Sequence, residues 1–559
     1  MRVPKQVKVV VLGLVLVLLL VGCAKASPAP IPVPAPVPTP APAPTPTPAP
    51  KPTPAATPTG PYGELRVAIS SFSSENFDPS KVGSSVGKPI FETLIALDGA
   101  GLAPRIVDKW EIAPDGLSWV FHIHKGIKFH NGEDLTADDV KFSIDRFASP
   151  EANYRDVGDA VERVEVVDNY TVRVYTKGTQ PYLPYLFTFY LPYSGPVMPK
   201  DYIARYGWEY FNLHPVGSGP WQFDRRVPGD TIKYEVLDAH WRQVPGFKKL
   251  TLINIPEQTT RLALLKTGAI DVTEIGIEEA KELESIGFRT GNLSSVAAVF
   301  ALWGAYDPRA AGMPIANIKV RQALSLAINR EEINKTFFYG MALPLAPVYV
   351  NQGSTDIDYA AAVKYATTIF RYDQEEAKRL LKEAGYADGF KIKLFSYSQT
   401  DAPYLPKLNE IIQSYWLRIG VKAEIVPTDG GTFDPLRRGG PGRGPADLIL
   451  GQAAGRAMSD APVMPFRLRT GFVQGGSMQM TFPGIPEQEK LILSAIVETD
   501  PGKRRGIVEQ AVRMTTETYT LIPIADVPVL VIMGPGVDIK WNEPSSDLLY
   551  YLETAKHRK

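Results

Sequence analysis

Three histidines in the first third of the chain are the first residues whose types and spacing suggest chemistry. His122 and His124 lie two residues apart on a predicted strand, so both side chains point to one face, and His130 follows closely. Such a pair is a conceivable metal site, but a complete ligand set is not evident, and solvated strand histidines are favoured. Asp138 and Asp139 fall in the first turn of the next helix, where carboxylates complement the helix dipole. We therefore predict no metal and no cofactor.

Sequence motifs for catalysis are not found. The chain contains no G-x-S-x-G, H-E-x-x-H, Walker A or G-x-G-x-x-G arrangement. The glycine-rich run at residues 439–444 precedes a predicted strand at 447–450 and does not open a helix, so it predicts a surface loop and not a phosphate site. We expect that the protein is not an enzyme.

The N-terminus predicts a lipid anchor. Arg2, Lys5 and Lys8 precede an apolar run over residues 9–22 that ends in the sequence LVGC at Cys23, the only cysteine. The run is shorter than the roughly 20 residues that span a bilayer as a helix, and it is typical of a signal peptide. Its end resembles the bacterial lipobox, in which the cysteine thiol receives a diacylglycerol. We predict that Cys23 is lipidated, which leaves the mature chain without a free thiol or a disulfide.

Composition separates a proline-rich spacer from a globular remainder. Proline occupies every even position from 28 to 54, which excludes helix and strand and predicts a polyproline II rod. At about 3.1 Å per residue the rod reaches on the order of 100 Å. The remainder of the 559 residues is long enough for more than one domain. Lysine plus arginine equals aspartate plus glutamate at 60 each, so charge indicates no nucleic-acid partner.

Local patterns predict the elements that position any site. Alternating apolar residues over 119–123 follow a Pro-Asp-Gly turn signal and predict a hairpin, and a second strand is expected to end at Phe129. Asn131-Gly132 supplies a left-handed turn, and Thr136 then opens a helix with an aspartate three residues on. The glycines of the turn over 216–221 are expected to adopt positive φ.

Further along, strands and helices alternate as in an α/β protein. The predicted strands lie at 63–69, 232–237, 250–255, 391–395 and 421–426, and the predicted helices at 260–267, 318–330, 373–385, 411–419 and 507–517, with a helix and strand end over 90–97. The β-α-β unit over 391–426 implies a second lobe.

Four separated motifs resemble one family. Residues 104–146 match W-x-x-x-x-D-G-x-x-[WY]-x-F followed by F-x-[ND]-G-x-x-x-[TS]-A-x-D-V-x-[FY]-S-x-x-R, residues 217–221 read GSGPW, residues 318–330 read IKVRQALSLAINR, and residues 372–390 form a capped helix. In this order they are similar to the extracytoplasmic solute-binding proteins, family 5, of peptide, nickel and oligosaccharide ABC importers. The resemblance covers about residues 62–555.

The resemblance implies the fold and its divisions. It predicts an α/β, two-lobed, periplasmic-binding-protein-like fold of type II, with an extra subdomain in the first lobe. The expected divisions are a signal peptide at 1–22, the lipidated cysteine and linker at 23–61, lobe I at 62–97, 213–315 and 516–559, the extra subdomain at 98–212, and lobe II at 316–515.

One loop departs from the family pattern. Peptide-binding relatives carry G-W-x-x-D after the strand at 447–450, and their aspartate pairs with the α-amino group of the peptide. Here Gln452 replaces the tryptophan and Gly455 the aspartate, while Arg456 follows. A buried amine without its carboxylate is unfavourable, so free-amine peptides are disfavoured and Arg456 is expected to attract an anion. The alternative is that the loop has shifted and Asp460 pairs with the amine. The other ligand-binding candidates are Ser85, Trp303, Tyr306 and Tyr397.

The resemblance also implies the function. We expect a monomer, anchored by a lipid on Cys23 outside the cytoplasmic membrane or in the periplasm, that captures a peptide or oligosaccharide and delivers it to the permease subunits of an ABC transporter. An orphan solute sensor, a secreted hydrolase and a wall-associated scaffold are the alternatives.

Overall fold

Two long antiparallel strands form the centre of the molecule. In this computed structural model, β12 (Arg289–Leu302) pairs with β16 (Leu521–Met533), from Arg289 opposite Met533 to Ala301 opposite Leu521. The sequence of β16 is almost continuously apolar, as is typical of a strand covered on both faces. Within β16 every residue except Asp526 is buried, and Asp526 is half-buried.

The structure describes residues 60–72, 75–81, 85–98, 101–153, 155–189, 194–302, 305–306, 308–397, 402, 404–428, 449–454, 463–473, 484–541 and 547–558. The predicted signal peptide, Cys23 and the proline-rich segment lie outside these ranges. No helix within the described ranges is long and apolar enough to cross a membrane.

The central strands belong to a ten-stranded sheet with the order β14-β13-β15-β12-β16-β11-β1-β10-β9-β8. On one side of β12 and β16, the "β13 side" contains β13 (Phe390–Ser396), β14 (Val421–Pro427) and β15 (Ile449–Ala454). On the other, the "β1 side" contains β1 (Glu64–Ile69), β8 (Trp221–Val227), β9 (Thr231–Val236), β10 (Lys249–Asn254) and β11 (Val272–Ile275). The predicted β-α-β unit is confirmed, because β13 and β14 are parallel.

A second sheet has four antiparallel strands in the order β4-β5-β7-β6. They are β4 (Val107–Ile112), β5 (Ser118–Ile123), β6 (Val161–Asp168) and β7 (Thr171–Thr176). The predicted hairpin is confirmed as β4 and β5. Two short pairs are β2 (Ile95–Asp98) with β3 (Gly101–Pro104), and β17 (Val537–Asp538) with β18 (Lys556–His557).

The described residues also form helices, some of which cover the sheets. They are α1 (Ala137–Ala148), α2 (Asp156–Ala160), α3 (Leu183–Leu186), α4 (Lys200–Leu213), α5 (Gln258–Lys266), α6 (Ile277–Ser285), α7 (Ile318–Leu326), α8 (Arg330–Thr336), α9 (Tyr359–Ile369), α10 (Gln374–Glu383), α11 (Leu405–Leu417), α12 (Met464–Phe472), α13 (Pro486–Val497) and α14 (Pro501–Glu517). Short 3₁₀ helices lie at Ser85–Gly87, Pro308–Ala310, Pro314–Ala316 and Leu548–Thr554. Helices α12 to α14 share a hydrophobic cluster with Val299, Ala301 and Leu521 of the central strands.

Local signals placed several helix ends correctly. The Thr136 N–H donates to Asp139 Oδ2 at 2.9 Å, as the predicted capping box requires. Asp373 caps α10, because its carboxylate accepts the Glu376 N–H at 2.9 Å. Gly132 has the predicted positive φ of 89°.

Three other predictions from local sequence are wrong. Residues 90–94 form no helix, because the Leu94 N–H donates to the Gly195 carbonyl. No strand ends at Phe129, where the structure has only an isolated bridge between Lys128 and Asp134. In the turn over 216–221, Gly217 and Gly219 do not have positive φ. They are needed because a Cβ at either position would lie 2.3 to 2.6 Å from the Ile90 carbonyl oxygen.

The fourth correction concerns residues 318–330, which form two helices and not one. The first helix ends at Leu326. Asn329 is the N-cap of the second helix, α8, and its side chain accepts the Glu332 N–H at 3.0 Å. Buried side chains before and after the break, such as Leu324 and Ile333, belong to the same hydrophobic core. The apolar residues therefore keep a helical spacing across the break, although the helix itself does not continue.

Candidate functional site

A recess opens beside the two central strands. Its cavity volume is about 20 Å³, room for about one water molecule, and the solvent-open space around it brings the total to about 410 Å³. Its lining is mostly apolar with a few polar side chains, which is the usual character of a small-molecule site. The residues that define the recess are Ala297, Leu345, Ala346, Pro347, Tyr349, Val350, Asn351, Pro523, Ala525 and Asp526.

Among the described lining residues Asp526 is the charged one, and the backbone holds it on both sides. It pairs with Ala297 on β12, and its carbonyl oxygen accepts the Leu343 N–H at 2.8 Å. On its other edge Ala297 pairs with Ala454, the last residue of β15. The negative charge of Asp526 affects a nearby tyrosine. Burial raises the pKa of the Tyr359 hydroxyl, and the Asp526 carboxylate raises it further.

The wall opposite the central strands is held by a buried arginine. The Arg467 guanidinium, on α12, donates to the Tyr349 carbonyl oxygen and to Ser354 Oγ, the latter at 3.1 Å. Tyr349 itself has a positive φ of 76°, which a bulky residue adopts only when its surroundings impose it. Its ring packs edge-on against Phe472 at 5.8 Å. α12 therefore supports this wall of the recess through its contacts with Tyr349.

Two further arginines, the buried Arg321 and the half-buried Arg330, secure the start of β16. Arg321 Nε donates to the Thr518 carbonyl oxygen at 2.8 Å, and Arg330 Nε donates to that of Pro523 at 2.7 Å. Burial lowers the pKa of Arg330 to about 9, which leaves it charged at neutral pH. From the sequence, this stretch predicts a helix and carries one of the four family motifs, and no role was predicted for its arginines. The available signal was two arginines within an apolar period, since arginine is rarely buried without partners.

Contacts that we call the latch join the four-stranded-sheet domain to the α12–α14 side. Asp356 accepts hydrogen bonds from the Tyr182 hydroxyl and from Arg504 Nε, the latter at 2.9 Å. Arg469 forms ion pairs with two carboxylates of α2. The latch residues are Asp156, Asp159, Thr179 and Tyr182 on one side, and Asp356, Arg469, Val497 and Arg504 on the other.

The histidines do not converge. His124 contacts Asp108 at 3.0 Å, and His122 lies 3.9 Å from Glu111. His130 lies elsewhere: its Nε2 is 2.8 Å from the Gly219 carbonyl oxygen, and burial lowers the pKa of its imidazole to about 4. Across the described part of the chain, no three side chains of the metal-binding types lie together.

The sequence-predicted ligand residues are scattered relative to the recess. Tyr397, just after β13, is buried, and the Tyr306 hydroxyl accepts a hydrogen bond from Arg321 at 3.2 Å. Ser85 begins a 3₁₀ helix, and Gln452 lies on β15 opposite Val299. Neither Tyr306 nor Tyr397 is among the described residues that line the recess. Trp303, Arg456 and Asp460 lie outside the described ranges, so their roles stay predictions.

The comparison with known families decides the relationship. Residues 101–465 match the model of the bacterial extracellular solute-binding proteins, family 5. The chain belongs to this family. Family 5 members are the extracytoplasmic binding components of ABC importers, and the family is one of solute-binding proteins, not of enzymes. The resemblance drawn from the four motifs is confirmed.

Individual relatives and structures of family 5 agree with this result. The chain is 28% identical over 466 residues to the glutathione-binding protein GsiB of Pectobacterium atrosepticum, covering 82% of this chain and 87% of the relative. It is 28% identical over 408 residues to the dipeptide-binding protein of Escherichia coli, covering 66% and 72%. The structure of DppA from Helicobacter pylori in complex with the peptide STSA superposes with a TM-score of 0.70 at 22% identity, covering 89% of this chain and 98% of DppA. The two-lobed α/β fold class is therefore confirmed.

Proposed function

We propose that this family 5 protein is the lipid-anchored binding component of an ABC importer and captures a peptide-like solute in the recess. The observation that carries the proposal is the position of the recess beside β12 and β16, the strands that connect the β13 side to the β1 side. The peptide and glutathione ligands named for the relatives support the solute class.

The proposed mechanism is closure of two lobes around the solute. We take the β1 side with the four-stranded sheet as the first lobe, and the β13 side with α12 to α14 as the second, in keeping with the boundaries predicted from the sequence. Rotation about β12 and β16 brings the latch residues together, and bound solute stabilises this closed form. The permease then receives the closed form, and no chemical step is required of the protein.

Attachment to the membrane is the second part of the proposal. A diacylglycerol on Cys23 holds the protein outside the cytoplasmic membrane, and the proline-rich segment separates the lobes from the anchor. A lipid chain supplies about 0.8 kcal/mol per buried CH₂, so an anchor with two acyl chains is stable. The globular part then needs no membrane-spanning helix of its own.

Calorimetry with full-length protein tests the solute class. Glutathione, the tetrapeptide STSA and a linear trisaccharide are titrated separately, and thermal unfolding is followed with each. Peptide at 100 times its dissociation constant is expected to raise the free energy of unfolding by about 2.7 kcal/mol. Binding of the trisaccharide alone would replace the peptide proposal by an oligosaccharide one, and hydrolysis of any probe would contradict a pure binding role.

A further inference from the structure

A second cavity lies between α9 and α14, next to the recess, since Pro347 lines both. Its cavity volume is about 60 Å³, and the solvent-open space around it brings the total to about 360 Å³. One water needs about 10 to 15 Å³ of such volume, so the cavity has room for on the order of five non-hydrogen atoms. Its described lining is apolar except for four side chains on or next to the two helices, Asp358, Tyr365, Glu509 and Arg513. We call this cavity the α9–α14 pocket.

The two helices that form the pocket run side by side in the same direction. The Tyr365 hydroxyl, on α9, donates to Glu517 Oε1, on α14, at 2.8 Å. Further along, the ring of Phe370, which follows α9, lies 5.9 Å from the ring of Tyr519, which follows α14. Contacts that advance together along both helices require a parallel arrangement. The start of α9 therefore lies beside the earlier turns of α14.

The charges of the pocket are divided between its two ends. Asp358 immediately precedes the first turn of α9, and Glu509 is the earliest lining residue of α14, so both carboxylates lie at the same end. Arg513 lies one turn, about 5.4 Å, further along α14 than Glu509. Its guanidinium stands over the Tyr365 ring, 4.9 Å from the centroid. The pocket therefore presents negative charge at one end and positive charge at the other.

These charges do not neutralise one another within the protein. Glu509 and Arg513 have the i, i+4 spacing that favours an ion pair on a helix. Among the residues that the structure describes, however, neither forms a salt bridge, and the contact of Arg513 is with the Tyr365 ring. Asp358 uses Oδ1 to accept the Ala361 N–H at 3.0 Å, and its Oδ2 can accept from a ligand. The pocket thus holds charges of both signs that a ligand can pair with.

We propose that the α9–α14 pocket binds a free α-amino acid with a small side chain, such as glycine or alanine. The ammonium group meets the carboxylates of Asp358 and Glu509, and the carboxylate meets Arg513, which can bind it bidentately. A simple amine would leave Arg513 unpaired, and a simple anion would face two carboxylates, so a zwitterion is the ligand that matches both ends. Glycine and alanine also match the size of the cavity, and Ala362 and Val512 give a methyl group an apolar contact.

The test measures the affinity of the full-length protein for glycine by ligand-observed NMR. Glycinamide, which lacks the carboxylate, and N-acetylglycine, which lacks the ammonium group, are measured in parallel. Wild type is expected to bind glycine at least about 10-fold tighter than either analogue. Arg513→Gln and Glu509→Gln are each expected to weaken glycine binding about 5- to 20-fold, between the effects of an exposed ion pair and of a buried charged hydrogen bond. Arg513→Gln should also bind glycine and glycinamide within about twofold of each other.

Controls separate this pocket from the recess and from folding. Arg505→Gln changes an exposed arginine of α14 outside the described lining and should bind glycine as wild type does. Arg513→Lys keeps the positive charge and should retain glycine binding to within about threefold. Unfolding without ligand is compared for every variant, and Glu509→Gln carries the test if Arg513→Gln is unstable. Glycine binding is also measured with STSA at saturation, and it should persist.

Several results would overturn the proposal. Wild type could bind glycine and glycinamide equally, or bind none of the three probes. Glycine binding could survive both Arg513→Gln and Glu509→Gln, or could be lost when STSA saturates the protein, which would place glycine in the recess. Failure of STSA to bind at all would count against the proposed function alone, because glycine binding in the α9–α14 pocket does not require a solute in the recess.

Discussion

Arg469 on α12 and Asp159 on α2 form an ion pair of 2.6 Å between the α12–α14 side and the four-stranded-sheet domain. The Arg469 side chain also reaches Asp156 at 3.2 Å. These carboxylates lie on a short helix that contributes none of the described lining residues of the recess, so in the proposed mechanism the pair acts on closure and not on solute chemistry. Exposed ion pairs of this kind contribute little individually, and the partly buried Asp356 is expected to dominate the latch.

Asp356→Asn is expected to release the latch. Asparagine tolerates the positive φ of 59° at this position but removes the charge that Arg504 and Tyr182 share. The loss of hydrogen bonds to a charged group should disfavour the closed form by about 1.5 to 3 kcal/mol. Stopped-flow dissociation of bound peptide should accelerate, and small-angle scattering should show a larger radius of gyration. An unchanged dissociation rate, with Asp388→Asn at an exposed aspartate in the turn before β13 as the control, would remove the latch from the mechanism.

Arg330→Met is expected to destabilise the protein. The guanidinium donates to the carbonyl oxygens of Pro523, at 2.7 Å, and Phe370, at 2.9 Å, and to Ser325 Oγ at 3.0 Å. Removing it leaves these buried acceptors without their donor, at a cost on the order of 3 kcal/mol in the free energy of unfolding. Chemical denaturation measures the loss. Arg371→Met, at an exposed arginine, is the control and should change stability by less than about 0.5 kcal/mol.

His130 should make the protein sensitive to mild acid. Its pKa in the folded protein is about 4, against 6.5 when unfolded, so the unfolded state binds the additional proton. The contribution of His130 to the free energy of unfolding is therefore fully present above about pH 6.5. It is lost as the pH falls toward 4, and the total loss is on the order of 3 kcal/mol. Denaturation of wild type and His130→Gln across this interval isolates the contribution. Equal pH dependence in the two proteins would show that the histidine does not carry it.

Cys23→Ser is expected to free the protein from the membrane. Serine cannot receive the thioether-linked lipid, so the protein should move from the detergent-extractable fraction to the soluble fraction, or stay as an unprocessed precursor. Cell fractionation and the mass of the mature N-terminus report the result. A variant that is processed and still membrane-bound as firmly as wild type would contradict a lipid anchor at this residue.

Arg456→Ala tests the prediction made from the loop after β15. If this arginine meets a carboxylate of the solute, its loss should weaken binding by about 1.5 to 3 kcal/mol. Asp460→Ala is the matched comparison and is expected to have a much smaller effect in calorimetry. The reverse result, with tight peptide binding that depends on Asp460 and is indifferent to Arg456, would support the shifted-loop alternative.

The sequence by itself determined what depends on local spacing. The capping of α1 by Thr136 and of α10 by Asp373, the β4–β5 hairpin and the parallel pair β13 and β14 all follow from residues that are close in the chain. Family membership was readable for the same reason, since each motif is a continuous stretch whose residue types are constrained by one turn or one helix.

Only the tertiary structure decided which distant residues share an environment. Tyr182 and Asp356 meet although they are 174 residues apart, and no periodicity predicts that contact. In the sequence, Asp526 is a single polar residue within an apolar strand. Its position at the recess depends on β12 and on the segment before Val350, which lie beside it only in the folded protein. Gly217 and Gly219 are glycines because the Ile90 carbonyl approaches them, and not because of their own φ. Packing and charge act through space, so their partners depend on the completed fold and not on position along the chain.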